Sequence, residues 1–373
     1  MRGFLSNRGT WIAVAVIVLV GVTGAVAWSS LSSEDYDPGS ASSAVEAIPD
    51  EVRSSIAADI EASETAEATI PEEVEEDPLE PFATPSTDNP FTVSPPLPDD
   101  LYESYLLIGT DESGLRADVI IDVLIPADGG EPVLASIPRD LFVENPCTET
   151  YTRINATLNG CGDFLDGPAL LSLAVQRFTG IEVDAFAIVD FDGFEEIVDS
   201  VGGVEVCFEY PTRDRDAELD VPAGCQVLDG ETALAWARSR KTLEFRDGGW
   251  RGTGADDFSR QSHQQELLFA LADRVASFGS IGRLSQLAQA TSDAVRLSDG
   301  FGLTNAVSTV WEYRNLEPAD VARVSLETKP FVTSYGAYVL EPTRYFNELL
   351  AEIHPFAFRE VISAEAGEDV DGG

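Results

Sequence analysis

The sequence predicts an α/β fold, a β-sheet with helices on both faces, carried behind one transmembrane helix and a disordered acidic tether. Three observations predict it. From Leu101 onward, short apolar runs suited to buried strands alternate with segments of helical periodicity. An uncharged run, WIAVAVIVLVGVTGAVAW, fills 11–28. Between the two, the composition shifts to carboxylates, Ser, Ala, Thr and Pro.

Taken in order, residues 1–10 form a short leader containing Arg2 and Arg8. The run at 11–28 follows; at about 1.5 Å per residue it reaches most of the way across a hydrocarbon core of about 30 Å. Trp11 and Trp28 sit at its ends, where amphipathic rings favour the lipid–water interface. It is longer than the apolar core of a signal peptide, about 7–15 residues, and no small-x-small site closes it. Basic residues before it and acidic ones after it place the amino terminus in the cytoplasm and the rest outside. The expectation is a single-pass membrane protein with an extracytoplasmic domain.

Residues 29–100 carry nineteen carboxylates against the single Arg53. Such a segment buries too little apolar surface to offset its ordering entropy, and it reads as a self-repelling linker. A short helix between 44 and 68 is compatible with it but is not expected to pack on anything. The folded domain then occupies 101–356, and 357–373 is an acidic tail. The formal net charge of −43 excludes nonspecific nucleic-acid binding, which depends on phosphate neutralisation by Lys and Arg.

Within the domain, 105–108, 119–125, 133–137 and 185–189 read as buried strands. The apolar spacing over 168–178 predicts a helix stopped by Gly180. Another helix spans 191–201, ended by Gly202 and Gly203 and followed by a strand over 204–208. Helices over 261–278, 281–295 and 304–313 complete the domain. Four cysteines fall on the exterior side, and Cys147–Cys161 with Cys207–Cys225 is the most economical of three connectivities. Metal-type C-x-x-C spacing is absent from the sequence.

Several charged residues fall just past strand ends, where open α/β sheets place their sites. Asp111 follows the first strand. Arg116 and Asp118, two apart at the start of the next, share a side. Arg139 and Asp140 follow the third strand, with Pro138 fixing its exit. Arg238 and Arg240 share a face if the chain is extended there. On the helix from 261, Arg260, His263 and Gln264 lie on the stripe continued by Leu267, Leu268, Leu271, Val275 and Phe278, and so point inward. A guanidinium there needs an anion, supplied by a neighbouring carboxylate or by a ligand phosphate. The glycines between 241 and 255 suggest a flexible lip. Two histidines and no G-x-S-x-G elbow argue against a Ser-His-Asp hydrolase, and the nucleotide-binding glycine loops are missing.

The ordered segments GTD (109–111), LRAD (115–118), SIPRDLFV (136–143), RINAT (153–157), VDFDGFEEIVDSVGGVEV (189–206), LDGETALAWARSR (228–240) and DDFSRQSHQQ (256–265) resemble the LytR-CpsA-Psr family. That resemblance covers roughly 101–356. It implies a central mixed sheet between helices, with a prenyl tail in an apolar tunnel. It also implies a phosphotransferase that moves a polyprenyl-pyrophosphate-linked glycopolymer, of teichoic acid, capsule or arabinogalactan type, onto peptidoglycan. By matched motif, Asp111 and Asp118 look like the carboxylates that hold Mg2+. Arg116, Arg139, Arg238, Arg240 and Arg260, with Gln264, look like the cage around the pyrophosphate, and Asp140 orients Arg139. Arg139, Asp140, Arg238 and Arg240 are the residues assigned to catalysis. His263 stands where the family pattern has a second arginine. The alternatives are a pyrophosphatase using water as nucleophile at the same site, and a noncatalytic envelope regulator.

Overall fold

The computed structural model describes residues 37–66, 89–111, 114–253, 257–277, 294–298 and 321–355. The expected transmembrane run at 11–28, the helix at 304–313, most of that at 281–295, and the tail at 357–373 lie outside the described residues. Among the described residues, no helix is long and apolar enough to cross a membrane.

In chain order the helices are α1 (Pro38–Glu46), α2 (Asp50–Ala66), α3 (Gly167–Thr179), α4 (Phe191–Ser200), α5 (Gly230–Arg238), α6 (Asp257–Ala276) and α7 (Phe346–Ile353). The strands through the first half are β1 (Tyr102–Thr110), β2 (Ala117–Pro126), β3 (Val133–Ser136), β4 (Phe142–Asn145), β5 (Thr150–Arg153), β6 (Ala185–Val189) and β7 (Val204–Phe208). They continue as β8 (Thr212–Asp214), β9 (Leu219–Val221), β10 (Gly224–Leu228), β11 (Leu243–Arg246), β12 (Gly249–Gly252) and β13 (Val295–Leu297). The last three are β14 (Ala322–Val324), β15 (Thr328–Val332) and β16 (Tyr338–Pro342). Val295, expected to end a helix, instead opens a strand.

The principal sheet has the order β13-β6-β1-β2-β3-β14. It is mixed, because β3 pairs antiparallel with β2 and parallel with β14. The chain divides into two compact units. Among the described residues, unit 1 takes 107–111, 187–253, 257–277, 294–298 and 321, and unit 2 takes 37–66, 89–106, 114–186 and 322–355.

Unit 2 is built on β2, whose residues from Ile120 to Pro126 are all buried, as a strand covered on both faces requires. Helix α3 starts at the Asp166 side chain, which accepts from the Ala169 amide, and stops at Gly180 in the left-handed region. Gly180 is required twice over, since a Cβ there would lie 2.3 Å from the Pro95 carbonyl.

The expectation of an unstructured linker over 29–100 is corrected for 37–66, while 29–36 and 67–88 lie outside the described residues. Between 38 and 66 the chain forms α1 and α2, which pack into unit 2. Asp37 caps α1 and Pro38 occupies its first turn. Val45 and Ile48 are buried against the Cys147–Cys161 disulfide, Leu170 and Leu173, with Val52, Ile56 and Leu165 closing the cluster. Ala41 and Val45 on α1, and Val52, Ile56 and Ile60 on α2, recur at four-residue spacing, so each helix has an apolar stripe although the composition is acidic. Arg53 fastens the arrangement, its Nη1 donating to the Cys147 carbonyl at 2.6 Å and its Nη2 to that of Val45 at 2.5 Å.

In unit 1, Asp190 and Asp229 cap α4 and α5 by accepting from the amides of Gly193 and Thr232. Gly230 allows the two helices to cross, because a Cβ there would sit 2.5 Å from the Glu195 carbonyl. Strands β7 and β10 pair with Cys207 opposite Cys225, and those two are disulfide-bonded. The expected flexible lip at 241–255 is instead strand-paired over most of its length. β11 and β12 form a hairpin at the edge of a sheet ordered β12-β11-β8-β9. Its two turn residues, Asp247 and Gly248, both have positive φ (52° and 79°), the conformation a two-residue hairpin loop requires.

Candidate active site

Unit 2 brings together Arg116, Asp118, Arg139 and Asp140. Arg116 ends the turn before β2, and Asp118 is the second residue of that strand. Arg139 and Asp140 lie in the turn after β3, whose backbone is pinned because the Asn155 amide donates to the Arg139 carbonyl and that of Leu340 to the Asp140 carbonyl. The Arg139 guanidinium bridges two carboxylates. Its Nη1 makes a short hydrogen bond to Asp118 Oδ1, and its Nε lies 3.5 Å from Asp140 Oδ2.

The row continues beyond the residues picked out from the sequence. Asp140 Oδ1 lies 3.5 Å from Arg153 Nη1, and Arg153 Nε lies 3.5 Å from Glu64 Oε1. Glu64 also accepts from the Arg153 amide at 3.0 Å and from the Tyr335 hydroxyl at 2.8 Å. Charges therefore alternate from Asp118 through Arg139, Asp140 and Arg153 to Glu64. Arg116 stands beside this row, its Nη2 reaching Ser63 Oγ at 3.4 Å. Burial, together with the like charges of Arg153 and Arg139, holds Arg116 below the ordinary arginine value, while Asp118 and Glu64 pull the other way. Three guanidiniums thus share one neighbourhood, which suits a multiply charged anion.

Unit 1 carries Arg238, Arg240, Arg260 and Gln264. Arg238 closes α5, and Ser239 turns the chain to an extended conformation (φ −64°, ψ 126°). The two arginines are therefore separated by a helix–loop junction and do not lie on one extended face. Asp214 shapes that junction. Its buried carboxylate accepts from Ser239 Oγ at 2.8 Å, from the Arg240 amide at 2.9 Å and from the Lys241 amide at 2.8 Å. The Arg238 guanidinium lies over the Phe191 ring, 4.8 Å from its centroid.

On α6, Arg260 and Gln264 are buried beside Leu267 and Leu271, as the helical stripe predicts. Gln264 Nε2 donates to the Ala237 carbonyl at 3.3 Å, satisfying one of the last carbonyls of α5. His263 stacks on Trp236 at 3.6 Å between ring centroids, and burial pulls its pKa down to about 4. The imidazole is therefore neutral at physiological pH and adds no charge to this arginine set.

Asp111 directly follows β1, in unit 1, and Asp118 belongs to unit 2. Among the described residues, no group of three or more His, Cys, Asp or Glu side chains converges on a metal position. Mg2+ commonly takes only one or two protein carboxylates and leaves the rest of its coordination sphere to phosphate oxygens and water.

Sequence reasoning missed Arg153, Glu64, Asp214 and Tyr335. Arg153 was legible as the first residue of RINAT, yet nothing local assigned it to Asp140. The other three carry no local signal. The two disulfides join Cys147 to Cys161 and Cys207 to Cys225.

Comparison with known proteins agrees with this architecture. The chain is 32% identical over 237 residues to LcpB of Corynebacterium glutamicum, a probable cell wall biosynthesis protein, covering 64% of this chain and 52% of that one. It is 31% identical over 204 residues to TagV of Bacillus subtilis, a polyisoprenyl-teichoic acid–peptidoglycan teichoic acid transferase, covering 52% of this chain and 48% of that one. The solved LytR-Csp2A-Psr enzyme from Actinomyces oris superposes with a TM-score of 0.54 at 26% identity, covering 73% of this chain and 93% of that one. The chain spans about half the length of the curated relatives it matches. Residues 60–350 match the LytR_cpsA_psr family, and the chain belongs to that family.

Proposed function

We propose that the protein is a phosphotransferase that moves a glycopolymer from a polyprenyl-pyrophosphate carrier onto peptidoglycan. The observation that carries this reading is the row Asp118–Arg139–Asp140–Arg153. It presents arginine forks held from behind by carboxylates, in a chain of this family. The transferase name of TagV supports the same reaction class.

In this reading the acceptor is a sugar hydroxyl of peptidoglycan. Its oxygen forms a bond to the phosphorus bearing the glycan, the bridging bond to polyprenyl phosphate breaks, and the hydroxyl proton is released. Negative charge builds on the nonbridging and leaving oxygens, where preorganised guanidiniums stabilise it most. Arg116 and Arg139 of unit 2, and Arg238, Arg240 and Arg260 of unit 1, are the anion-binding groups. Asp140, gripped on both oxygens by arginines, orients Arg139, and Gln264 supports the arginine loop. Asp111 and Asp118 are the carboxylates that would hold Mg2+, which would supply charge neutralisation at the pyrophosphate. The run at 11–28 anchors the chain, with the domain outside the membrane where lipid carrier and wall meet.

The test incubates the full chain with a synthetic polyprenyl-pyrophosphoryl oligosaccharide, Mg2+ and peptidoglycan fragments. Glycan attached to the fragment with release of polyprenyl phosphate supports the proposal. Free glycan phosphate instead identifies a pyrophosphatase, and the absence of both binding and turnover a noncatalytic protein.

A further inference from the structure

We infer that Glu64, delivered by the amino-terminal helix pair α1–α2, is a positioning residue for Arg139, acting through Arg153 and Asp140. The inference deepens the phosphotransferase reading and rests on it.

Glu64 is an acid in the last turn of a helix, where the local dipole disfavours it, yet it is 3% exposed. A carboxylate in such a place needs strong partners. It has three, since Oε1 takes the Arg153 amide and faces Arg153 Nε, while Oε2 takes the Tyr335 hydroxyl. Those partners lie 89 and 271 residues away in sequence, so the contact is made only by the folded chain. The turn before it also carries Ser63, which receives Arg116. One end of α2 therefore touches two of the three guanidiniums gathered in unit 2.

The consequence follows from charge order. Arg153 lies between Asp140 and Glu64, and Arg139 lies between Asp118 and Asp140. With Glu64 ionised, Arg153 is balanced from behind, and Asp140 is shared between the two arginines. Without that charge, Asp140 is drawn toward Arg153, and Arg139 is held by Asp118 alone. The neighbourhood would then be more positive but less ordered, so an anion would bind as well or better while being poorly aligned for transfer.

The helix pair is docked by the Val45–Ile48 cluster against the Cys147–Cys161 disulfide and by the Arg53 clamp, and it ends on the arginine row. A segment that resembles a linker in composition is thereby part of the active-site frame.

The test compares Glu64→Gln, Tyr335→Phe and the surface control Glu61→Gln in the full chain. It uses transfer kinetics with the synthetic lipid-pyrophosphate donor, inorganic pyrophosphate binding by calorimetry, and arginine ε-NH resonances in the ligand-free protein. Glu64→Gln is expected to lower kcat about tenfold with KM unchanged or reduced, and to shift the Arg139 resonance. Tyr335→Phe, which frees Glu64 Oε2 without removing charge, gives a smaller loss of the same kind and serves if Glu64→Gln does not fold. Glu61→Gln matches the parent. A purely structural role would lower the melting temperature and the active fraction but would not divide kcat from KM. Parental kcat in a folded Glu64→Gln protein would overturn the inference and leave the phosphotransferase reading standing. No pyrophosphate binding by the parent would overturn both.

Discussion

Asp214 gives the sharpest quantitative prediction, because one buried carboxylate fixes the loop that carries Arg238 and Arg240. It is 1% exposed, and it accepts from Ser239 Oγ, Arg240 N and Lys241 N on Oδ2 and from Asp216 N at 3.0 Å on Oδ1. Hydrogen bonds to a charged acceptor contribute about 1.5–3 kcal/mol each, but they do not add. With the Ala217 amide, which reaches Oδ1 at 3.4 Å, Asp214→Ala leaves five donors without their acceptor and is expected to cost about 4 kcal/mol, the scale for breaking a buried charged network. Asp214→Asn keeps one acceptor oxygen toward the three donors on Oδ2 and turns an amide against the Asp216 and Ala217 N–H groups, for a cost of about 2–3 kcal/mol. With a urea m-value of about 1–3 kcal/mol/M, the alanine variant should lose about 1 M or more in midpoint. Acid sensitivity carries a sign as well. Burial acts to raise this carboxyl, but the Lys241 amide, the Ser239 hydroxyl and the Arg240 amide outweigh it and hold the group below its ordinary value. Its stabilisation is thus complete above the unfolded value of about 3.9 and is lost as pH falls through the folded one. In Asp214→Asn that acid limb disappears. An Asp214→Asn unfolding free energy within about 0.5 kcal/mol of the parent, with an unchanged acid limb, would refute the reasoning.

Three further outcomes follow from the same geometry. Arg139→Lys should reduce transfer about 100-fold or more, because an ammonium cannot bridge Asp118 and Asp140 while presenting a fork to phosphate; steady-state kinetics within about twofold of the parent would contradict this. The His263 ring should titrate near the value of about 4 that burial imposes, so its contribution to stability is complete above about 6.5 and declines as pH falls toward 4; an imidazole NMR midpoint at 6 or above would refute it. Replacing both Cys147 and Cys161 by Ser opens a cross-link of 14-residue separation and should cost about 3 kcal/mol, while exposing α1 and α2 to limited proteolysis; an unchanged urea midpoint would count against it.

Reading the sequence succeeded wherever the signal was local. The apolar run behind β2, the Gly180 stop of α3, and the Gly202–Gly203 stop of α4 each depend on residues within one or two turns. Reading failed where composition masked periodicity, as in α1–α2, whose apolar stripe lies among nineteen carboxylates over 29–100. It failed again at the β11–β12 hairpin, because Gly248 and Gly249 suggest freedom until the strands on either side pair.

By itself the sequence determined β1, β2, β3, β6 and β7, the helices α3 and α4, and the inward stripe on α6 that buries Arg260 and Gln264. Only the tertiary structure decided which carboxylate each arginine meets. With 66 acidic residues against 23 basic ones, many pairings are chemically equivalent in the unfolded chain. Long-range packing selects among them, bringing Glu64 to Arg153 and Asp214 to the Ser239–Lys241 turn, because ion pairing has no sequence period of its own.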